Sequence, residues 1–426
     1  MTHSFIRNIF NFKQGFKDTL ALLFSNIGSQ IISLIRGLYV ARILGPADFG
    51  LLSSLLLINK LNKFGDLGFN AVVSREVPYL EGKGEFEKIR LTKNNAYSSE
   101  IIFAIGLLII GVITSVLIED KRIMIAIILA SLGLFFGKIA KISSTEIIVE
   151  KNFINLAQVH LFIQIVVSIF VISTVHILGI FSSLIFTVVG SILTIIIFQY
   201  LIEYKYTFNI NKKEFFRQLK LGIPLTLTTL FYGTYRYSER LLILSFLGTF
   251  SLGLYAIATR VMDTILGLFQ IRGKILKIQV SQKLGAGEYA DAHKILVRNT
   301  IFPILAAIAI LPFLWALIDY GFPLFLGEKY IEAIGIVKLL SIASVVRLLG
   351  TFTPIVLVSP LVNKQKILPI FDFISTIFLI SVTFILYYIN HLNLETIVYA
   401  DITGYLISHV SLVILYYKYF YFKYVS

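Results

Sequence analysis

The stretch Ile43–Leu52 reads ILGPADFGLL, and Phe246–Tyr255 reads FLGTFSLGLY. Both interrupt long apolar runs with a pair of glycines, and Gly45 to Gly248 and Gly50 to Gly253 are the same 203 positions apart. The shift also matches Leu44 with Leu247 and Leu51 with Leu254. Further on it matches Val77 with Val280, Gly82 with Gly285, Gly84 with Gly287 and Glu85 with Glu288. Register therefore holds without a gap from Leu44 to Glu85. A repeat this long copies a whole architectural unit, and the two stretches read as equivalent tight turns. Glycine ends one helix in a left-handed turn, and Pro46 presets the first turn of the next.

Around these turns the chain is too apolar to be a water-soluble domain. Hydrophobic residues make up 57% of the 426 and charged residues 15%, where soluble domains are nearer a quarter charged. Runs long enough to span ~30 Å at 1.5 Å per residue occur about twelve times. They lie near 20–41, 50–72, 98–118, 123–147, 156–177, 181–202, 221–246, 252–271, 299–319, 332–358, 368–389 and 395–417. The expected fold is an all-α integral membrane protein of about twelve transmembrane helices, in two parallel six-helix repeats around a central cavity. The halves divide at 1–210 and 211–426. With an even number of spans each, they enter the membrane from the same side and are related by an axis along the membrane normal.

The net charge of +14 is topological. With the N-terminus inside, the outer loops hold only Arg42, Lys121, Arg122 and Lys329, and the other loop basic residues fall on the inner side. That asymmetry places both termini in the cytoplasm and sets nucleic acid aside as a partner. The chain has no cysteine, and its six histidines are scattered without paired-ligand spacing, so no metal or cofactor is expected. No apolar segment with a cleavage site opens the chain. The loops YLEGKGEFEKIRLTKNN and KLGAGEYADAHKILVRN read as short amphipathic helices on the inner face, and the tail YYKYFYFKYV as an interfacial aromatic belt.

Charge inside the apolar runs carries the functional signal. Span one bears Ser25, Asn26, Ser29, Gln30, Ser33 and Arg36 along one helical face. Span seven bears Thr228, Thr229, Tyr232, Arg236, Glu239 and Arg240 in the same pattern, and the first five fall on Ser25, Asn26, Ser29, Ser33 and Arg36 at the same shift. Lys60 and Asp66 in span two, and Arg260 and Asp263 in span eight, extend the pattern. Each base costs about 2.5–3.5 kcal/mol at a bilayer centre. Acids at depth are fewer than bases, so surplus positive charge must line a watery cavity. Such a cavity suits an anionic substrate, and the planar fork of arginine suits phosphate best. Asp66, Glu239 and Asp263 are candidates either for ion coupling or for pairing with the neighbouring arginines.

ILGPADFG, the following FGDLGFNAVVSREV and the basic GEFEKIR resemble the Wzx-type polysaccharide flippases of the multidrug/oligosaccharidyl-lipid/polysaccharide exporter superfamily. The resemblance implies a non-enzymatic transporter of the bacterial inner membrane. Its work would be to move undecaprenyl-diphosphate-linked oligosaccharide units across that membrane by alternating access. Surface polysaccharide such as O-antigen, lipopolysaccharide or capsule would be the end product. It implies that cations on spans one, two and eight meet the diphosphate, here Arg36, Lys60 and Arg260, with Arg236 and Arg240 near the same cavity. The implied partners are the lipid-linked oligosaccharide, membrane lipid and other polysaccharide-assembly membrane proteins. A cation-coupled drug or small-solute antiporter of the same superfamily is the rival, though a cationic drug calls for an acidic cavity. A membrane polysaccharide polymerase fits less well, because the outer loops are short and lack a carboxylate pair.

Overall fold

In the computed structural model the backbone is described for all residues except 1, 61–66, 151, 351, 360, 363 and 365–366. Side chains are described outside those positions and outside 2–23, 59–60, 82, 224–225, 227–234, 236, 265–275 and 277–278. The chain is all-helical among the described residues. The first half runs α1 (Thr2–Lys60), α2 (Phe69–Lys83), α3 (Phe86–Val116), α4 (Lys121–Val149), α5 (Phe153–Leu178) and α6 (Ile180–Leu201). Then follow α7 (Lys212–Gly285), α8 (Tyr289–Leu326), α9 (Ala333–Leu349), α10 (Thr353–Leu357), α11 (Leu368–Tyr388) and α12 (Leu394–Tyr416). A π-helical tail, Tyr417–Val425, continues α12.

Ten helical stretches among the described residues are long and apolar enough to cross a membrane. Their exposure pattern is inverted relative to a soluble protein. On α8 the residues Phe302, Leu305, Ile310, Phe313 and Leu317 are all exposed, and α3 shows the same with Ile109, Ile113 and Val116. Apolar surface on this scale is stable only against hydrocarbon. The protein is a multi-pass integral membrane protein.

Two of the ten stretches, Phe24–Ile58 and Tyr237–Thr264, contain the repeated turn motif. Each holds one break in helical geometry, at Gly45 (φ 75°, ψ 170°) and at Gly248 (φ 80°, ψ −175°). The repeat of sequence is thus a repeat of conformation. The conformation differs from the left-handed helical turn expected, because ψ lies near 180°. That region is essentially restricted to glycine, so the requirement for Gly is stricter than a helix cap would impose. A left-handed cap occurs further on at Gly84 (φ 71°, ψ 19°), and Gly287, again 203 positions along, likewise has positive φ (77°). The bonds closing them match too: Glu85 N to Leu80 O and Glu288 N to Lys283 O, both 3.0 Å.

The chain forms two compact units. The first comprises residues 1–36 and 55–229, the second 37–54 and 230–426. The halves 1–210 and 211–426 are a division by sequence; the units are a division by contact, and 37–54 packs within the second.

In the first unit α4 packs on α3 and α6, and α5 on α6. Small residues allow close approach: a Cβ at Gly111 would overlap the Ser131 hydroxyl, and Gly68 and Gly222 meet backbone to backbone. The start of α3 carries a run of buried polar side chains from Thr92 to Glu100. Part of that run holds the extended segment 202–211. Thr207 N and Tyr204 Oη donate to Asn94 Oδ1 at 3.2 and 3.0 Å, Asn209 N to Ser98 Oγ at 2.8 Å, and Asn211 N to Asn95 Oδ1 at 3.0 Å. Side-chain oxygens replace the ladder partners that an extended backbone would otherwise lack. Gln218 ties in the first turns of α7 by donating to Thr92 O across 3.0 Å.

In the second unit α12 packs against α9 and α11, and α8 against α9. The turns containing Gly45 and Gly248 meet inside this unit. A Cβ on Gly50 would overlap the carbonyl oxygen of Thr249, and a Cβ on Gly253 that of Pro46. Position 249 is the repeat equivalent of 46, and 253 of 50, so the contact is reciprocal. That is the signature of a local two-fold relation between the two turns, and the opening glycine pairs exist for it.

Candidate functional site

Arg36 is half-buried on α1. Arg260 is half-buried on α7, and its side chain lies directly on Gly37: a Cβ there would overlap its Cδ, Nε and Cζ. Gly37 therefore opens the space that the Arg260 guanidinium group occupies, next in sequence to Arg36. Arg240, also half-buried, donates from Nη2 to Thr259 Oγ1 at 3.2 Å. Lys60 is the last residue of α1, and its side chain lies outside the described residues, as does that of Arg236. Asp66 lies outside the described residues altogether.

The acids sort into two environments. Asp263 is 4.0 Å from Arg347 Nη1, a loose pair at a partly exposed place. Glu239 is 4% exposed. It accepts hydrogen bonds from Tyr255 Oη and, at 3.3 Å, from Tyr405 Oη. Arg347 stacks on the Tyr405 ring, its Cζ 4.9 Å from the centroid. So Asp263 is an ion-pair partner, and Glu239 belongs to a tyrosine-lined carboxyl cluster that also contains Asp401.

Other intramembrane cations have structural partners. Lys138, 2% exposed, pairs with Glu100 at 3.0 Å, and Asn70 donates to the second Glu100 oxygen at 2.9 Å. Lys93 pairs with Glu146, which also accepts from Tyr206 Oη at 2.7 Å. Lys338 pairs with Asp319 at 2.7 Å. Lys138 and Lys338 are thus each matched by an acid within their own unit. Breaking a buried pair by deleting one partner costs about 3–5 kcal/mol, so such residues are architecture first.

At the end of α2 and the start of α3 a groove of about 530 Å³ is lined by Glu76, Tyr79, Lys83, Glu85, Glu214 and Arg217. A second of about 770 Å³, between α7 and α8, is lined by Gln279, Gln282, Lys283, Glu288, Arg298 and Asn299. Glu76, Tyr79 and Glu85 are the repeat equivalents of Gln279, Gln282 and Glu288. In the first groove the charges satisfy one another. Arg217 reaches Glu76 at 2.7 Å and Glu214 at 2.6 Å. Burial pushes the Glu214 carboxyl up, but hydrogen bonds from Arg217, Gln218 and Thr92 outweigh it and hold the group below its usual range. Both partners likewise push the Arg217 guanidinium up. No cluster of three metal-ligating side chains occurs among the described residues.

A family model described as "Polysaccharide biosynthesis protein" matches residues 16–272, more than half of the chain. A search of curated proteins returns no matching relative. Among solved structures, an inward-facing multidrug-resistance MATE-family transporter of the MOP superfamily superposes with a TM-score of 0.73 at 13% identity. The match covers 94% of this chain and 97% of that one. A MOP-superfamily transporter from Pyrococcus furiosus, whose title speaks of a binding pocket of reverse polarity, gives 0.66 at 12% identity over 94% and 95%. A mutant of the Vibrio cholerae MATE transporter VcmN gives 0.64 at 15% over 95% and 96%. At such identities the likeness establishes the fold, which is that of the MOP transporters.

Proposed function

Because this chain belongs to the polysaccharide biosynthesis protein family and has the MOP transporter fold, we propose that it is a flippase for undecaprenyl-diphosphate-linked oligosaccharides. It would act in the bacterial inner membrane with both termini cytoplasmic, in the assembly of O-antigen, capsule or a similar surface polysaccharide. In this reading α1 and α7, broken at Gly45 and Gly248, each contribute two spans, and twelve spans form two parallel six-helix repeats around a central cavity. The halves 1–210 and 211–426 are the two moving lobes.

The observation that carries the reading is the placement of arginine. Arg36 and Arg260 stand half-buried in apolar helices, and a glycine on α1 is given up to seat Arg260. A guanidinium group held in a membrane protein matches a lipid diphosphate, which offers paired anionic oxygens to its fork. Lys60, Arg236 and Arg240 would add charge along the path of the headgroup. The sugar would travel in water while the prenyl tail stays in lipid, and alternating access would expose the headgroup to each side in turn. Other polysaccharide-assembly membrane proteins would receive the product.

The alternative, a drug or small-solute antiporter of the same superfamily, draws on the multidrug transporters among the similar structures. Cationic cargo would be repelled by the same arginines. A polymerase would need a pair of catalytic carboxylates at an outer loop, and the MOP fold is a transporter fold.

Deleting the gene in its host tests the proposal. A lipid-linked oligosaccharide should accumulate in the inner leaflet while surface polysaccharide is lost. Normal surface polysaccharide together with a gain in drug sensitivity would favour the antiporter instead.

A further inference from the structure

The two grooves are built from repeat-equivalent positions and differ in what fills them. Glu76, Leu80, Lys83, Glu85 and Thr92 of the first correspond to Gln279, Lys283, Ala286, Glu288 and Ile295 of the second. In the first, the start of α7 adds Lys213, Glu214 and Arg217 to the lining, and the Arg217 guanidinium group bonds to both Glu76 and Glu214. The described lining of the second comes entirely from the end of α7, the start of α8 and the turn between them.

The charge is rearranged as well. Gln279 stands where Glu76 does, so the acid that would hold an inserted cation is replaced by a neutral amide. Arg298 stands at the equivalent of Asn95. Asn95 is buried, accepts from Asn211 N and donates to Gln218. Arg298 is exposed and lines the groove with no ion-pair or hydrogen-bond partner among the described residues. Lys283 is already matched by Glu288 and, at 3.6 Å, by Asp291. The exposed amides of Gln279 and Gln282 complete the polar lining. An uncommitted guanidinium group beside amides fits a singly charged oxyanion that also carries hydroxyl groups.

Two further features give that anion a tail. Ile301, Phe302 and Leu305 follow Arg298 at i+3, i+4 and i+7, on the same stripe of α8, and all three are exposed. The start of α8 also lies against the aromatic tail: Tyr289 meets Tyr424 at 5.2 Å between centroids, and His293 meets Tyr421 at 4.7 Å. A tyrosine-rich belt marks the level of lipid headgroups. A groove at that level, whose arginine heads an apolar stripe, calls for an amphiphile.

We propose that this groove binds the headgroup of an anionic phospholipid with the chemistry of phosphatidylglycerol. The phosphodiester oxygens bond to Arg298, the glycerol hydroxyls to Gln279 and Gln282, and an acyl chain lies along Ile301, Phe302 and Leu305. The site uses none of the residues assigned to the transported diphosphate, and it stands whether or not the chain is a flippase. The proposed orientation puts it in the cytoplasmic leaflet, where basic pockets between helices meet anionic lipid. Because the lipid touches α7 and α8 together, its binding should stabilise the folded chain.

Native mass spectrometry and thermal unfolding of the full chain in detergent, with one phospholipid added at a time, test the site. The wild type should retain one phosphatidylglycerol in preference to phosphatidylethanolamine or phosphatidylcholine and should unfold at a higher temperature with it. Arg298→Gln should weaken that retention about fivefold and remove the stabilisation, while Arg298→Lys keeps most of both. Lys294→Gln takes a charge from the same helix outside the groove lining and should change neither readout. Arg298 and Lys294 are both exposed, so these variants should fold. Equal losses in Arg298→Gln and Lys294→Gln would reduce the effect to diffuse attraction and overturn the site. Equal retention of all three lipids would overturn its selectivity for an anion. Stabilisation by inorganic phosphate as large as that by phosphatidylglycerol would make it a small-anion site, and stabilisation by a polyglutamate peptide in phosphatidylcholine would assign it to an acidic protein partner. Either result would remove the lipid.

Discussion

At the scale of single residues, an arginine in an apolar helix is conspicuous, and its type and position suffice to nominate it. Arg36 and Arg260 are nominated in this way, and both stand half-buried on apolar helices. A charge-assisted contact to phosphate contributes about 1.5–3 kcal/mol, so losing one should weaken binding about ten- to a hundredfold. Arg36→Ala and Arg260→Ala should reach the membrane at wild-type levels and lose surface polysaccharide, and Lys at either position should rescue only partly because a point charge lacks the fork. Gly37 gives an independent handle. The atoms that a Cβ would displace belong to the flexible Arg260 side chain, so Gly37→Val should fold and yet reproduce the Arg260→Ala defect. Full export by the Arg36→Ala/Arg260→Ala double variant, measured as surface polysaccharide per cell, would end the diphosphate assignment. The buried pairs were not legible. Lys138 finds Glu100 at a separation of 38 residues and Lys93 finds Glu146 at 53, and neither spacing has a local signature.

At the scale of elements, the apolar runs found most helices because hydrocarbon length sets helix length. What the runs could not convey was how the non-helical pieces are held. The polar segment Glu203–Asn211 reads as an ordinary loop, yet it is strapped to α3 by Asn94, Asn95 and Ser98 across more than a hundred residues of sequence. The repeated glycines were recognised as turns, but their backbone state was not, since a helix-ending glycine ordinarily adopts ψ near 40°. The observed ψ of 170° at Gly45 and −175° at Gly248 changes the expected effect of substitution. A Cβ in this region costs on the order of 1–3 kcal/mol. Space is not the obstacle at Gly248, where a Cβ would meet nothing within 4 Å. Gly248→Ala should therefore lower the melting temperature of the purified protein through backbone strain alone. Gly50→Ala should do worse, since its Cβ strikes the rigid carbonyl of Thr249. Equal melting temperatures for Gly248→Ala and the wild type would mean that the turn relaxes to another conformation at no cost.

At the scale of the whole molecule, orientation decides whether the arginines can act on a lipid loaded at the cytoplasmic face. Orientation is set by where lysine and arginine fall in the loops, a property of the chain before it folds. The absence of cysteine makes this testable with single introduced thiols. Lys121 and Lys329 belong to the loops assigned outside, Lys212 and Lys418 to those assigned inside, and all four are exposed. In intact cells whose outer membrane has been made leaky, an impermeant maleimide should label Lys121→Cys and Lys329→Cys. Lys212→Cys and Lys418→Cys should react only after the inner membrane is opened. Each substitution removes one exposed lysine from a chain of +14, too little to reverse the bias. Labelling of Lys212→Cys from outside would place the strapped segment and both termini on the outer face. The basic loops would then face away from the compartment where lipid-linked sugars are built, and a flippase loading from the cytoplasm would lose its physical basis.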